Sequence, residues 1–213
     1  MASVEGADPA GAADPAGAAD PAEAADPAGA ADPAEGADPA GAAGAAGLQG
    51  GAPAVFRDAV SADREAVLEF WPHPERLDRR FAAAAEGSET FVVAVGPGAA
   101  VVVGAAGVRW GGGCDDTARP MLYGVEVRPD LRGRGVGSAM IRHVAQLVAD
   151  RGFAEFSLEV EVGNAGAIRL YRRLGFVTVG PHRHVWRSGN ATGSTDVLIM
   201  HGRAATVRAT PLS

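Results

Sequence analysis

The chain has 213 residues, and all 19 of its basic side chains are arginine. The lack of lysine excludes a Walker A P-loop, a Schiff-base lysine and a pyridoxal-phosphate anchor. A single cysteine excludes a disulfide framework and a multi-thiolate zinc site, and it suits a reducing, cytoplasmic compartment. The formal net charge is -7, but nine acids and no arginine fall in residues 1–53, which leaves 17 acids against 19 arginines in the rest.

That first segment repeats Ala-Asp-Pro-Ala, with aspartates at 8, 14, 20, 26, 32 and 38, and has no aromatic residue. Each Asp-Pro can start a helical turn, but the next arrives before a stable helix of about 12 residues forms. With alanine almost its only apolar side chain, it buries nothing and reads as a disordered acidic spacer. It lacks the basic start and apolar run of a signal peptide. No run of about 18 apolar residues occurs anywhere, so no membrane span is expected. Residues 54–204 are expected to form one domain, followed by a short tail at 205–213.

In chain order, Ala54–Val60 reads as a strand and Ser61 as the cap of a helix reaching about Phe70. The segment Trp71-Pro72-His73-Pro74 ends it, and a second helix runs to about Ala85. Thr90–Val95 and Ala100–Trp110 are β-branched runs joined through Gly96-Pro97-Gly98, a hairpin pattern. Met121–Val127 is a strand, and Gly135–Asp150 carries a helical apolar stripe with Gly152 as its stop. Phe156, Leu158, Val160 and Val162 alternate with Ser157, Glu159 and Glu161, the pattern of a half-exposed strand. Asn164 caps a helix that puts Ile168, Tyr171 and Leu174 on one face and stops at Gly175. Phe176–Trp186 and Thr195–Met200 close the chain as strands. The class is mixed α/β.

The most informative segment is the turn from Val127 through Ser138, with Gly133, Gly135 and Gly137 in alternation, three nearby arginines (Arg128, Arg132, Arg134) and a helix starting behind it. Alternating glycines let successive amides point into one concavity, and the helix start adds unpaired N–H groups and partial positive charge. The chemistry is that of a pyrophosphate cradle. A dinucleotide fold needs a third glycine where Ser138 stands and a first glycine directly after the strand, which five residues here prevent.

The residues Val127, Pro129, Arg132, Gly133, Gly135 and Gly137 fit the signature V-x-P-x-x-R/Q-G-x-G-x-G/A. A second signature is met by Leu158, Val160, Asn164, Ala167, Leu170, Tyr171, Gly175 and Phe176. On these two motifs residues 54–204 resemble the GNAT superfamily of acetyl-coenzyme A-dependent N-acyltransferases. The resemblance implies a mostly antiparallel sheet splayed between its fourth and fifth strands, Met121–Val127 and Phe153–Val162, with flanking helices. It implies that Val125 and Val127 offer backbone groups to the pantetheine arm. The amides of Arg132, Gly133, Arg134, Gly135, Val136, Gly137 and Ser138 would hold the pyrophosphate, and Asn164 would contact the arm. Tyr171 would protonate the departing thiolate, a role its position seven residues after Asn164 supports.

For the base, Glu126 alternates against Val125 and Val127, and Glu159 lies on the neighbouring motif strand. Either can order a water or take the amine's proton. A glutamate serves several family members at the start of the fourth strand, where this chain has Arg119. The expected activity is transfer of an acetyl group from acetyl-coenzyme A to a primary amine by direct attack in a ternary complex; the alternative is an idle coenzyme A-binding module. The acceptor class stays open among small metabolite, antibiotic and protein N-terminus. His182, His184, His201 and Cys114 are set aside as metal ligands, and no metal is expected; His182 and His184 alternate along one strand face and read as substrate contact or exposed polar surface. A domain near neutral charge argues against nucleic acid, and a monomer or homodimer is expected.

Overall fold

A computed structural model describes residues 54–96, 101–113, 115–188 and 191–211; the repeat segment, the centre of the first hairpin turn and Cys114 lie outside them. Seven strands form one sheet in the order β1-β2-β3-β4-β5-β7-β6. They are β1 (Val55–Asp58), β2 (Glu89–Val95), β3 (Val102–Arg109), β4 (Met121–Val127), β5 (Glu155–Glu161), β6 (Val177–Ser188) and β7 (Ala191–Arg203). Every neighbouring pair is antiparallel except β4 and β5. The helices are α1 (Arg64–Leu68), α2 (Pro74–Glu86), α3 (Val136–Asp150), α4 (Ala165–Arg173) and α5 (Ala204–Ala209).

Local chemistry sets the helix limits. Pro74 opens α2 at its first turn, and Gly87 closes it in the left-handed conformation at φ 79°. Leu77, Arg80, Phe81 and Ala84 form its inward stripe. In α3 the buried Val136, Met140, Ile141, Val144 and Val148 lie on the face turned to the sheet. Asn164 caps α4 by accepting from the Ala167 amide at 2.9 Å.

The sheet separates two apolar clusters. The larger joins α3, α4 and α5 to one face through Leu122, Phe156, Leu158 and Phe176. The smaller joins α1, Trp71 and α2 to the other through Phe91, Val93 and Ala105.

Four expectations need correction. Ser61 caps nothing: a single 3-10 turn, Ser61–Asp63, precedes α1, and the Asp63 carboxylate accepts from the Val60 amide at 2.8 Å. The strand holding Ser157 and Glu159 is not half-exposed, because both residues are fully buried between β4 and β7. His184 is 3% exposed, while its strand neighbour His182 is open to solvent, so the two are not a common surface pair. Residues 204–209, set at the border of the expected tail, form α5, with Ala204 and Val207 buried.

Candidate active site

The parallel pairing of β4 and β5 is brief. Met121 matches Ser157 and Leu122 matches Leu158, and no further pair follows. Beyond Leu122 the strands part, and a cavity of about 480 Å³ opens between them. β4 lines it with Val125, Glu126 and Val127, and β5 with Val160 and Glu161. The loop and first turns of α3 add Leu131, Arg132, Gly133, Gly135, Val136, Gly137, Ser138 and Arg142. Asn164 and, from α4, Gly166, Ala167, Leu170, Tyr171 and Arg173 complete the wall.

The glycine turn is built as its spacing suggested. Gly133 and Gly135 take φ values of 73° and 80°. Gly135 is the residue before α3, and its carbonyl accepts from the Ala139 amide at 2.9 Å. The first intrahelical bond is thus spent on Ala139, and the amides of Val136, Gly137 and Ser138 precede it without helical partners. All three residues line the cavity, so the helix start presents donors and partial positive charge to it. A Cβ on Gly133 would meet nothing within 4 Å, so the turn stands open on that side.

On β4, the Arg128 amide donates to Val103 of β3 at 3.0 Å. Amides alternate in direction along a strand, so the Val127 amide points to the opposite edge, where β5 has moved away. Val127 and Val125 therefore offer backbone groups to the gap. Glu126 is 5% exposed, and burial pushes its carboxyl up to about 7 against the opposing pull of Arg80 and Arg132. Tyr171, also 5% exposed, has its phenol raised by burial first and by the Glu126 carboxylate second, so it stays neutral and proton-bearing. One wall can accept a proton near neutral pH, and the other can give one.

Two expected site residues do not reach the cavity. Arg134 is exposed and does not line it. Glu159 is 0% exposed, stands at the first position after β4–β5 pairing ends, and does not line the cavity. Its carboxylate oxygen lies 3.4 Å from Nδ1 of His184. Of the other loop arginines, Arg132 lines the cavity and its Nε donates to the Val127 carbonyl at 3.1 Å. Arg128 is paired with Asp130 at 3.2 Å. Arg119 binds Asp115 at 3.0 Å in the loop before β4, and His201 binds the same carboxylate at 2.7 Å. Arg142 and Glu161 line the cavity without having been singled out, because helix and strand register bring them there and no motif marks them; Arg173, in the arginine-rich end of α4, lines it too. Among the described residues no group of three or more His, Cys, Asp and Glu is placed to hold a metal ion.

A model of the acetyltransferase (GNAT) family matches residues 56–176. Streptothricin acetyltransferase of Streptomyces lavendulae is 42% identical over 62 residues, 29% of this chain and 33% of that protein. The ribosomal protein bS18-alanine N-acetyltransferase of Escherichia coli strain K12 is 35% identical over 79 residues, 37% of this chain and 52% of that protein. The matched part thus spans between a third and about half the length of these relatives. Among solved structures, a phosphinothricin acetyltransferase from Sinorhizobium meliloti in complex with AcCoA aligns with TM-score 0.58 at 20% identity. It covers 71% of this chain and 89% of its own, a likeness of fold.

Proposed function

Because the chain belongs to the acetyltransferase (GNAT) family, we propose that it moves an acetyl group from acetyl-coenzyme A to a primary amine by direct attack in a ternary complex. The observation that carries this reading is one cavity walled by an amide cradle, a buried carboxyl near neutral titration and a buried neutral phenol. The cavity suits the donor. Its glycine turn is open, its helix start offers partnerless amides, and Arg132 brings a positive charge. Val125 and Val127 would receive the pantetheine arm, Asn164 would contact it, and the amides from Arg132 to Ser138 would hold the pyrophosphate, with Arg134 contributing its backbone alone.

Acetyl-coenzyme A supplies the thioester, whose carbon the amine attacks and whose sulfur leaves as thiolate. Glu126 takes a proton from the amine, directly or through a water. The Val127 amide donates to the developing carbonyl oxygen charge. Tyr171 gives its proton to the sulfur and is reprotonated by the second proton that the attacking nitrogen sheds, so the amide product and the free thiol leave with charges balanced. Glu159 has no part in these steps.

Magnitudes favour one acceptor class. From an α-ammonium near pKa 8, transfer to a carboxyl at about 7 is uphill by about 1.4 kcal/mol. From an alkyl ammonium near 10.4 it is uphill by about 4.6 kcal/mol. The proposed acceptor is therefore an amine of lowered basicity, of the α-amino kind, ahead of a lysine-like one.

The test is thiol release from acetyl-coenzyme A by the full chain across an amine panel. The panel should hold an alanine peptide from bS18, streptothricin and a simple alkyl amine. Release that depends on the amine is expected. Coenzyme A binding with no release on any amine would make the chain an idle coenzyme-binding module instead.

A further inference from the structure

The carboxyl of Glu126 has a neighbour that no motif marks. Tyr123 matches Gly107 of β3, and Glu126 matches Ala105, so two β4 residues, Gly124 and Val125, stand opposite the single Ala106. In a regular strand, residues three apart face opposite sides. This bulge instead turns Tyr123 and Glu126 to the same side, the one covered by α2.

On that side lies Arg80, from the inward stripe of α2 and only 4% exposed. Its guanidinium carbon is 3.9 Å from the centroid of the Trp71 ring, 4.8 Å from that of Tyr123 and 5.8 Å from that of Phe91. Its tip rests on the bulge. A Cβ added to Gly124 would come within 2.3 Å of Nη2 and 2.5 Å of Nη1. Gly124 also has φ 55°, so the position needs glycine for both backbone and space. The aromatic box compensates part of the cost of burying the cation and fixes where its charge sits.

We propose that Arg80, boxed by Trp71 and Tyr123 and seated on the Gly124 bulge, is the positioning residue that keeps Glu126 available as a carboxylate. The inference rests on the reading of Glu126 as proton acceptor. The charged and titratable groups facing Glu126 are Arg80 from α2, Arg132 from the loop before α3, Tyr171 from α4 and, on its own strand, Tyr123, whose buried phenol donates to Glu89 and stays neutral. Tyr171 is neutral and burial works against ionisation, so the two arginines must supply the opposing field. Arg132 is exposed and donates to a carbonyl, so solvent weakens its effect. Arg80 is buried and its field is not screened in this way, and it is the larger of the two influences.

The experiment follows the carboxyl itself by 13C NMR titration of the full, ligand-free chain labelled at glutamate. The Glu126 signal is assigned by its loss in Glu126→Gln. In Arg80→Met the midpoint is expected to rise by at least about one pH unit. Arg80→Lys should return it close to the wild-type value, and Trp71→Leu, which keeps the cation but opens its box, should give a smaller rise. An unchanged or lowered midpoint in a folded Arg80→Met protein overturns the proposal. If that variant does not fold, an unchanged midpoint in Trp71→Leu overturns it. The readout needs no turnover, so it stands apart from the proposed reaction, which fails separately if Glu126→Gln keeps the wild-type rate.

Discussion

Glu126 and Glu159 lie on neighbouring strands just past the point where β4 and β5 separate, and both are almost fully buried. Glu159 stands at the first position beyond the last pair, with His184 at 3.4 Å. Glu126 lies four residues beyond Leu122, where the gap is wide enough for a cavity of about 480 Å³. Burial alone therefore does not make a reactive carboxyl. Glu126 is buried and reachable, with an amide cradle and a phenol in the same cavity; Glu159 is buried at the closed end.

The sharpest break of this contrast is Glu126→Gln. Removal of the proton acceptor is expected to lower kcat/KM about 10³-fold near pH 8. The wild-type rate should climb as pH rises through about 7, and that climb should vanish in the variant. Stability should move the other way. The carboxyl is raised from 4.5 to about 7 on folding, so the folded state keeps a proton that the unfolded chain releases. Wild-type stability therefore declines between about pH 4.5 and 7, by roughly 3 kcal/mol, and levels off above. Glu126→Gln escapes this loss and should melt higher at pH 8 in a thermal scan. A lower melting point there would show that the carboxylate is stabilised by groups other than those named.

Tyr171→Phe probes the opposite wall with a smaller effect. Turnover should fall about 10²-fold with little change in acetyl-coenzyme A affinity, measured by steady-state kinetics beside a binding titration. Unchanged turnover would remove the hydroxyl from the reaction and leave Tyr171 a packing residue against Phe176, whose ring centroid lies 5.7 Å from its own.

Gly135→Ala tests the cradle. The residue holds φ 80°, which an L side chain adopts at a cost of about 1–2 kcal/mol. If the turn relaxes rather than bearing the strain, KM for acetyl-coenzyme A should rise about tenfold, with kcat nearly unchanged. An equal fall in kcat would place the turn in the chemical step.

Much of this cavity was legible because its signals are local. Met121–Val127 is the observed β4, and the turn and the Asn164-to-Tyr171 spacing are contained in short segments. What was not legible depends on distant strands. The alternation from Phe156 to Val162 reads as half-exposed because a single strand does not reveal that its polar face is covered, as Ser157 and Glu159 show. The burial of Arg80 is not legible in the sequence, since its box comes from Trp71, Phe91 and Tyr123 in three other parts of the chain. One signal was available: an isolated glycine inside an apolar strand, Gly124, marks a bulge or a close approach, and here it marks both.

Glu159→Gln should have the smallest effect on rate, and that is why it sharpens the contrast. The side chain does not line the cavity, so kcat/KM is expected to stay within about threefold of wild type and its climb through about pH 7 should persist. The effect should appear in stability. Among the described residues, both carboxylate oxygens of Glu159 and Nε2 of His184 are buried without hydrogen-bond partners, and the two side chains meet at 3.4 Å. Removing one partner, as in His184→Leu, should cost about 3 kcal/mol by leaving the other alone in an apolar setting. Replacing both, with Glu159→Leu added to His184→Leu, should recover most of that loss, because no polar group is then stranded. Chemical denaturation of the two single variants and the double variant closes this cycle. If the double variant instead loses activity while remaining folded, Glu159 belongs with Glu126 after all, and the closed end of the gap opens when the acceptor binds.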